Sequence, residues 1–149
     1  MTASKRVLKI TPYLPDRVEA LGTNANQFAQ ADIGKAVKYS GDTMVLCADG
    51  EDIVGIITAV EPYTDGGHTV GAVKMDAGAE AWATDEVGNL SVGGLVFCGT
   101  PAALGTAAPS TGPNVKTEAS VAAANLHRWE VVAIYGTGTA GDGLLICKL

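Results

Sequence analysis

The chain has 149 residues, 47% of them hydrophobic and 17% charged, with a mean hydropathy of +0.21 and a formal net charge of −6. That length fits one domain able to build its own core without disulfide staples. The acidic balance argues against non-specific nucleic-acid binding, which depends on clustered cations that displace phosphate counterions. The charged fraction lies below the roughly one quarter usual for a globular domain. Either some surface is covered by partners, or this is a sheet protein with a thin polar rim.

The first residues, MTASKRVLKITPYLP, carry no apolar core run and meet Pro12 and Pro15 early, so they do not read as a signal peptide. No later run approaches the ~18 apolar residues that a membrane span requires, and the expectation is synthesis in the cytoplasm with no membrane partner. Lys5, Arg6 and Lys9 precede the first acid, Asp16, and form a basic N-terminal arm. From Asp42 to Glu86 there are ten acids and one base, Lys74. A basic arm on an acidic body is the result. Residues 1–31 read as arm and lead-in, and residues 32–149 as a single β domain. Within the lead-in, Pro12 to Asp32 does not read as strand. Gly22 and Asn24 interrupt any helix there, leaving a helical turn near Asn26 to Ala31.

Short runs rich in β-branched residues then follow, separated by Gly41-Asp42, Asp49-Gly50 and Asp65-Gly66-Gly67. KAVKYS, TMVLCA, IVGIITAV and HTVGAVKM predict four strands, and GGLVFCG, HRWEVVAIYG and GLLICKL predict three more. Strands at that spacing fit a sandwich or barrel rather than βαβ units. IVGIITAV is apolar throughout, which implies a strand covered on both faces, by a second sheet or by another subunit. Thr100 to Asn114, built from Ala, Thr, Gly and Pro, predicts a long loop or an extended excursion, and Glu118 to Leu126 two helical turns. No fixed-period repeat stands out. Trp82 and Trp129 lie in or beside strand-like runs and are expected to be buried.

The chemistry-bearing residues do not converge in sequence. Gly136-Thr-Gly138-Thr-Ala-Gly141 satisfies G-x-G-x-x-G, but only DGLLICKL follows, a strand where a dinucleotide fold needs a helix. A hairpin loop accounts for it better. His68 and His127 have no Ser or Cys neighbour in a nucleophile elbow. Cys47, Cys98 and Cys147 are about fifty residues apart with no C-x-x-C, each inside an apolar run, and read as buried thiols. Asp49, Glu51 and Asp52 are crowded but lack the spacing of a calcium loop. No catalytic residue, metal ligand or cofactor site is expected. Small trimeric hydrolases of the dUTPase family share the length and the glycine-rich GTGTAGDG, but their uracil-binding segment and arginine-bearing glycine motif are absent.

From Asp32 onward the order of phrases resembles the capsid cement, or head decoration, proteins of tailed bacteriophages. The pattern is a G-K-A-V strand (Gly34 to Val37), Gly41-Asp42 before a second strand, then a V-G-I-I strand (Val54 to Ile57). Thr69 to Val73 and the small-residue strand Glu80 to Ala83 follow, and EVVAIYGTGTAGDGLLICKL is similar to that family's closing strand pair. The resemblance implies a non-enzymatic virion protein that binds the outside of an expanded capsid through the major capsid protein, commonly as a homotrimer between capsomers. It leaves the attachment mode open, and Lys5, Arg6 and Lys9 are the candidate capsid-binding residues. The alternatives are another phage structural module, of tail, fibre or host-surface type, and then the dUTPase-like hydrolase. The expected architecture is all-β, a compact barrel or sandwich of short strands with an extended N-terminal arm and a long Ala/Thr/Pro loop.

Overall fold

The computed structural model describes residues 17–23, 26–65, 68–100, 104–105, 112–117 and 127–149. The fold is all-β and compact. Its strands are β1 (Arg17–Thr23), β2 (Asn26–Gln27), β3 (Ala36–Ser40), β4 (Thr43–Leu46), β5 (Gly55–Asp65) and β6 (His68–Lys74) in the first half. In the second half they are β7 (Glu80–Asp85), β8 (Leu95–Cys98), β9 (Leu104–Gly105), β10 (Gly112–Lys116), β11 (Trp129–Tyr135) and β12 (Gly143–Lys148).

The first half closes on itself. Antiparallel ladders run β4-β3-β5-β6-β1, and β1 then meets β4 in parallel with Leu21 opposite Met44. Its interior is filled by Val37, Met44, Ile57, Val60 and Val73, with Phe28, Ile33 and Leu46 packed against them. The second half runs β7-β12-β11-β8-β10 through antiparallel ladders, and β10 returns to β7 in parallel at Asn114–Thr84 and Val115–Asp85. Val96, Val115, Val131, Leu144 and Ile146 fill it, each 0–1% exposed. Fully burying side chains of this size contributes about 1.5–3 kcal/mol each, which is what holds two small rings of short strands together.

The seven strands expected from β-branched runs are all present. The double coverage expected of IVGIITAV is also present, and a second set of strands within the chain supplies it. Ile57 belongs to the core of the first barrel, whereas Ile53 and Ile56 join a cluster with Val96, Trp129 and Ile146 of the second. The apolar face is therefore satisfied without another subunit.

Three expectations need correcting. Arg17–Thr23, read as non-strand lead-in, is the strand that closes the first barrel. Its ladder partners in β6 fix it, although RVEALGT is poor in β-branched residues. The Ala/Thr/Pro stretch contains the short pair β9–β10, and β10 is a ladder member of the second barrel. The turn expected at Asn26 to Ala31 is a 3-10 turn at Gln30–Asp32, preceded by the two residues of β2. Trp129 is buried at 0% exposure, while Trp82 is only half-buried. The arm with Lys5, Arg6 and Lys9, and the helical turns expected at Glu118 to Leu126, lie outside the described residues.

Candidate functional site

A densely bonded polar region lies where the two barrels meet. Residues 47–54, the connection from β4 to β5, dock on strand ends of the second barrel. Gly50 N–H donates to the Cys98 carbonyl (2.8 Å), and Cys98 N–H returns a bond to Glu51 O (2.9 Å). The Trp129 indole Nε1–H donates to Ile53 O at 3.1 Å, and His127 N–H to the Asp52 carboxylate at 2.9 Å. Lys148 Nζ donates to His127 O and Val54 O, and it stands 5.7 Å from the centre of the Trp129 ring. The same connection is tied outward by Lys116–Asp49 (2.8 Å) and Lys38–Glu51 (2.5 Å). The hydrogen bond from Lys38 is the main reason the Glu51 carboxyl sits below its ordinary range, assisted by the Ala48 N–H and opposed by burial. The acids that crowd the sequence ADGEDIVG therefore each have a protein partner.

Lys148 is a buried residue, 8% exposed. Burial pushes its pKa down from 10.5 to about 8, opposed only by the charge of Asp52. With a depressed folded pKa, the unfolded chain binds more protons between about pH 8 and 10.5, so stability rises with pH through that window. Solvent screening at the partly accessible ammonium cuts the gain from pH 8 to pH 10 to about 1 kcal/mol, or about 3 °C in Tm. Thermal melts of Lys148→Met should lack this alkaline rise, whereas wild type should show it.

A second feature is an open groove of about 730 Å³ along the same seam, with β5 on one wall and β7 and β12 on the other. Trp82 and Tyr135 meet there edge to face, centroids 5.2 Å apart at 64°. Lys74 Nζ donates to the Glu80 carbonyl (3.2 Å) and Thr58 Oγ1 to Ala72 O (3.2 Å). These groups are engaged with the backbone, and among the described residues no His or Cys lines the groove. It offers shape and aromatic surface, with Thr58, Lys74 and Glu80 as its polar lining.

Of the residues weighed from sequence, Cys47 and Cys98 come together: each is 1% exposed, and the Cys98 thiol contacts the Cys47 carbonyl at 3.8 Å. Hydrogen bonding to Cys98, followed by burial, raises the Cys47 thiol far above its ordinary range, so it stays protonated. Cys147 is half-buried and apart. GTGTAGD forms the β11–β12 hairpin loop, closed by Asp142, whose carboxylate accepts from Gly138 N–H (2.7 Å) and Thr139 N–H (2.8 Å). Among the described residues, no three His, Cys, Asp or Glu side chains cluster as a metal site. The seam contacts of Trp129 and Lys148 leave no signal in the sequence, because the carbonyls they meet lie far away along the chain. Val87, Val92 and Tyr135 are exposed apolar side chains of the second barrel. No known protein family, curated protein or solved structure matches this chain.

Proposed function

We propose that this protein is a structural, non-enzymatic component of a phage particle that binds the outer surface of an expanded capsid and stabilises it as a homotrimer. The observation that carries the reading is the order of β-phrases from Asp32 to the end, which resembles head decoration proteins. The all-β fold and the engagement of the seam's polar groups within the chain are in keeping with it. So are the low charge fraction and the exposed Val87, Val92 and Tyr135, which suit a surface that meets other proteins. The trimer rests on the resemblance and on that surface, since the apolar β5 is covered within the chain.

The mechanism is linkage. A ligand that binds only the assembled, expanded shell lowers that state's free energy by mass action. Three contacts delivered on one trimer lengthen residence, provided all can engage together. Lys5, Arg6 and Lys9 would add an electrostatic component, screened over about 8 Å at physiological salt.

Cosedimentation with empty shells tests this reading. The protein should pellet with expanded shells and not with unexpanded ones, and bound shells should resist heat or denaturant that opens bare ones. A version lacking residues before Pro12 should bind poorly, and its residual binding should depend less on salt. Equal binding to both shell forms, or no binding to either, overturns the proposal.

A further inference from the structure

The two barrels have one topology. Label the strands of each in chain order a to e: β1, β3, β4, β5, β6 in the first and β7, β8, β10, β11, β12 in the second. Both rings then read a-c-b-d-e and back to a, with a–c parallel and every other ladder antiparallel.

The correspondence extends to single residues. Pairing Leu21 with Asp85, Tyr39 with Cys98, Met44 with Val115, Ile57 with Val131 and Val73 with Ile146 makes all the ladders agree. Leu21 opposes Met44 as Asp85 opposes Val115, and Tyr39 opposes Met44 as Cys98 opposes Val115. Val37 opposes Gly55 as Val96 opposes Trp129. Strand d carries one extra residue against e at the same place, Thr58 in one barrel and Val132 in the other. Bulges are specific features of a ladder, and a shared one at a shared register is hard to reach by accident.

The entry to strand b repeats too. Gly34 N–H donates to Ile57 O at 2.8 Å, and Gly93 N–H to Val131 O at 2.8 Å. Lys35 N–H donates to Asp32 O at 3.0 Å, and Gly94 N–H to Ser91 O at 2.9 Å. Gly34 and Gly93 both take positive φ, 95° and 84°, a conformation that favours glycine. The interior residues match in burial as well: Val37 with Val96, Met44 with Val115, Ile57 with Val131 and Val73 with Ile146 are each 0–1% exposed.

We infer that the chain is two copies of one five-stranded barrel unit fused in tandem, so that the seam between the barrels is a contact between a unit and its own copy. That contact is heterologous: the c–d connection of one copy rests on strands b, d and e of the other. The receiving copy is specialised for it. Trp129 and Lys148 hold the connection, while their counterparts in the first barrel are Gly55 and Met75. A Cβ at Gly55 would lie 2.4 Å from Val73 Cγ1, so no side chain fits there.

The copies differ most between strands b and c. In the first barrel Ser40 pairs with Thr43 across the exposed Gly41 and Asp42, with Gly41 at φ 61°. In the second the equivalent Gly99 bonds Asn114 across residues 100–113. The inference requires these connections to be interchangeable. In one full-length variant, residues 100–113 are replaced by Gly-Asp. In the reciprocal variant, residues 100–113 are inserted in place of Gly41-Asp42. Both should keep the strand signature in far-UV circular dichroism and melt cooperatively, within about 10 °C of wild type, because lengthening a loop costs only logarithmically. The insertion removes just two exposed residues, so its failure to fold means the first hairpin is not a copy of the second and overturns the inference. Failure of the excised variant does so equally, since the second barrel would then need a segment the first does without. Neither readout involves capsid binding, so the functional proposal can fail independently.

Discussion

Replacing Trp129 by alanine should lower Tm by about 15 °C, the largest single-residue effect expected in this protein. Truncating a fully buried tryptophan costs about 3–5 kcal/mol through lost packing and the cavity left behind. For a chain of this length that is a shift of about 10–20 °C. Trp129 is 0% exposed, packs in the cluster that joins both barrels, donates its indole N–H to Ile53 O and stands beside the Lys148 ammonium. Removing the ring therefore opens a cavity, leaves the Ile53 carbonyl without this donor, and strips Lys148 of its aromatic neighbour. Trp129→Phe keeps most of the packing and should lose only about a third as much. Calorimetry of the two variants separates the terms; an alanine variant melting with wild type would mean that the ring is not a seam residue.

The second large effect is expected at Asp85, whose side chain is 0% exposed and holds a loop together. Its Oδ1 accepts from Val87 N–H (3.1 Å) and Gly88 N–H (2.8 Å), and Oδ2 from Leu90 N–H (3.3 Å). Its backbone bonds Asp142 and Gly141 of the opposite hairpin loop. One carboxylate thus organises the connection between β7 and β8 and seats Leu90, itself 5% exposed, in the core. Asp85→Ala leaves three donors unserved, and an unsatisfied buried group costs about 1–3 kcal/mol. With partial rehydration of the loop, a loss of about 4 kcal/mol, or about 12 °C, is expected. Asp85→Asn retains Oδ1 but turns an amide N–H toward Leu90 N–H, and should cost roughly half as much. Hydrogen exchange should show the loss at Val87, Gly88 and Leu90 first. Protection unchanged at those three amides in the alanine variant would contradict this account.

How far the sequence spoke for itself depended on whether the relevant forces were local. The strands built from Val, Ile and Thr runs were legible because a β-branched residue fits the pleat whatever its partners. The thiols of Cys47 and Cys98 were legible as buried by the same logic. β1 was not, because RVEALGT becomes strand through its ladders to β6 and β4, contacts made across many intervening residues. The seam was half legible. An apolar IVGIITAV announces cover on both faces, but nothing within it says that the cover comes from Trp129 and Ile146. The repeat was nearly illegible. What survives in sequence is Asp32-Ile-Gly-Lys-Ala-Val37 beside Ser91-Val-Gly-Gly-Leu-Val96, and Ile57-Thr-Ala-Val60 beside Val131-Val-Ala-Ile134. A barrel interior demands only an apolar residue of fitting volume, and a ladder demands only backbone, so side chains can diverge while register does not. The arm residues Lys5, Arg6 and Lys9 lie outside the described residues, and their role rests on the capsid-binding experiment.

Closing each ring with one parallel ladder has a consequence for how the molecule behaves in a crowd. An open sheet of the same strands would expose a row of unpaired amides and carbonyls, a template on which a second chain can add a strand and begin to aggregate. Here β1 meets β4 and β7 meets β10, so each five-strand circuit closes without such an edge. Among the described residues, the strands at the ends of the sheets are β2 and β9, two residues each, which offer a short template for such pairing. Exposed apolar side chains among the same residues, such as Tyr39, Val87, Val92 and Tyr135, then offer a partner a surface that leaves the ladders intact. Those can be altered one at a time without unravelling a ladder.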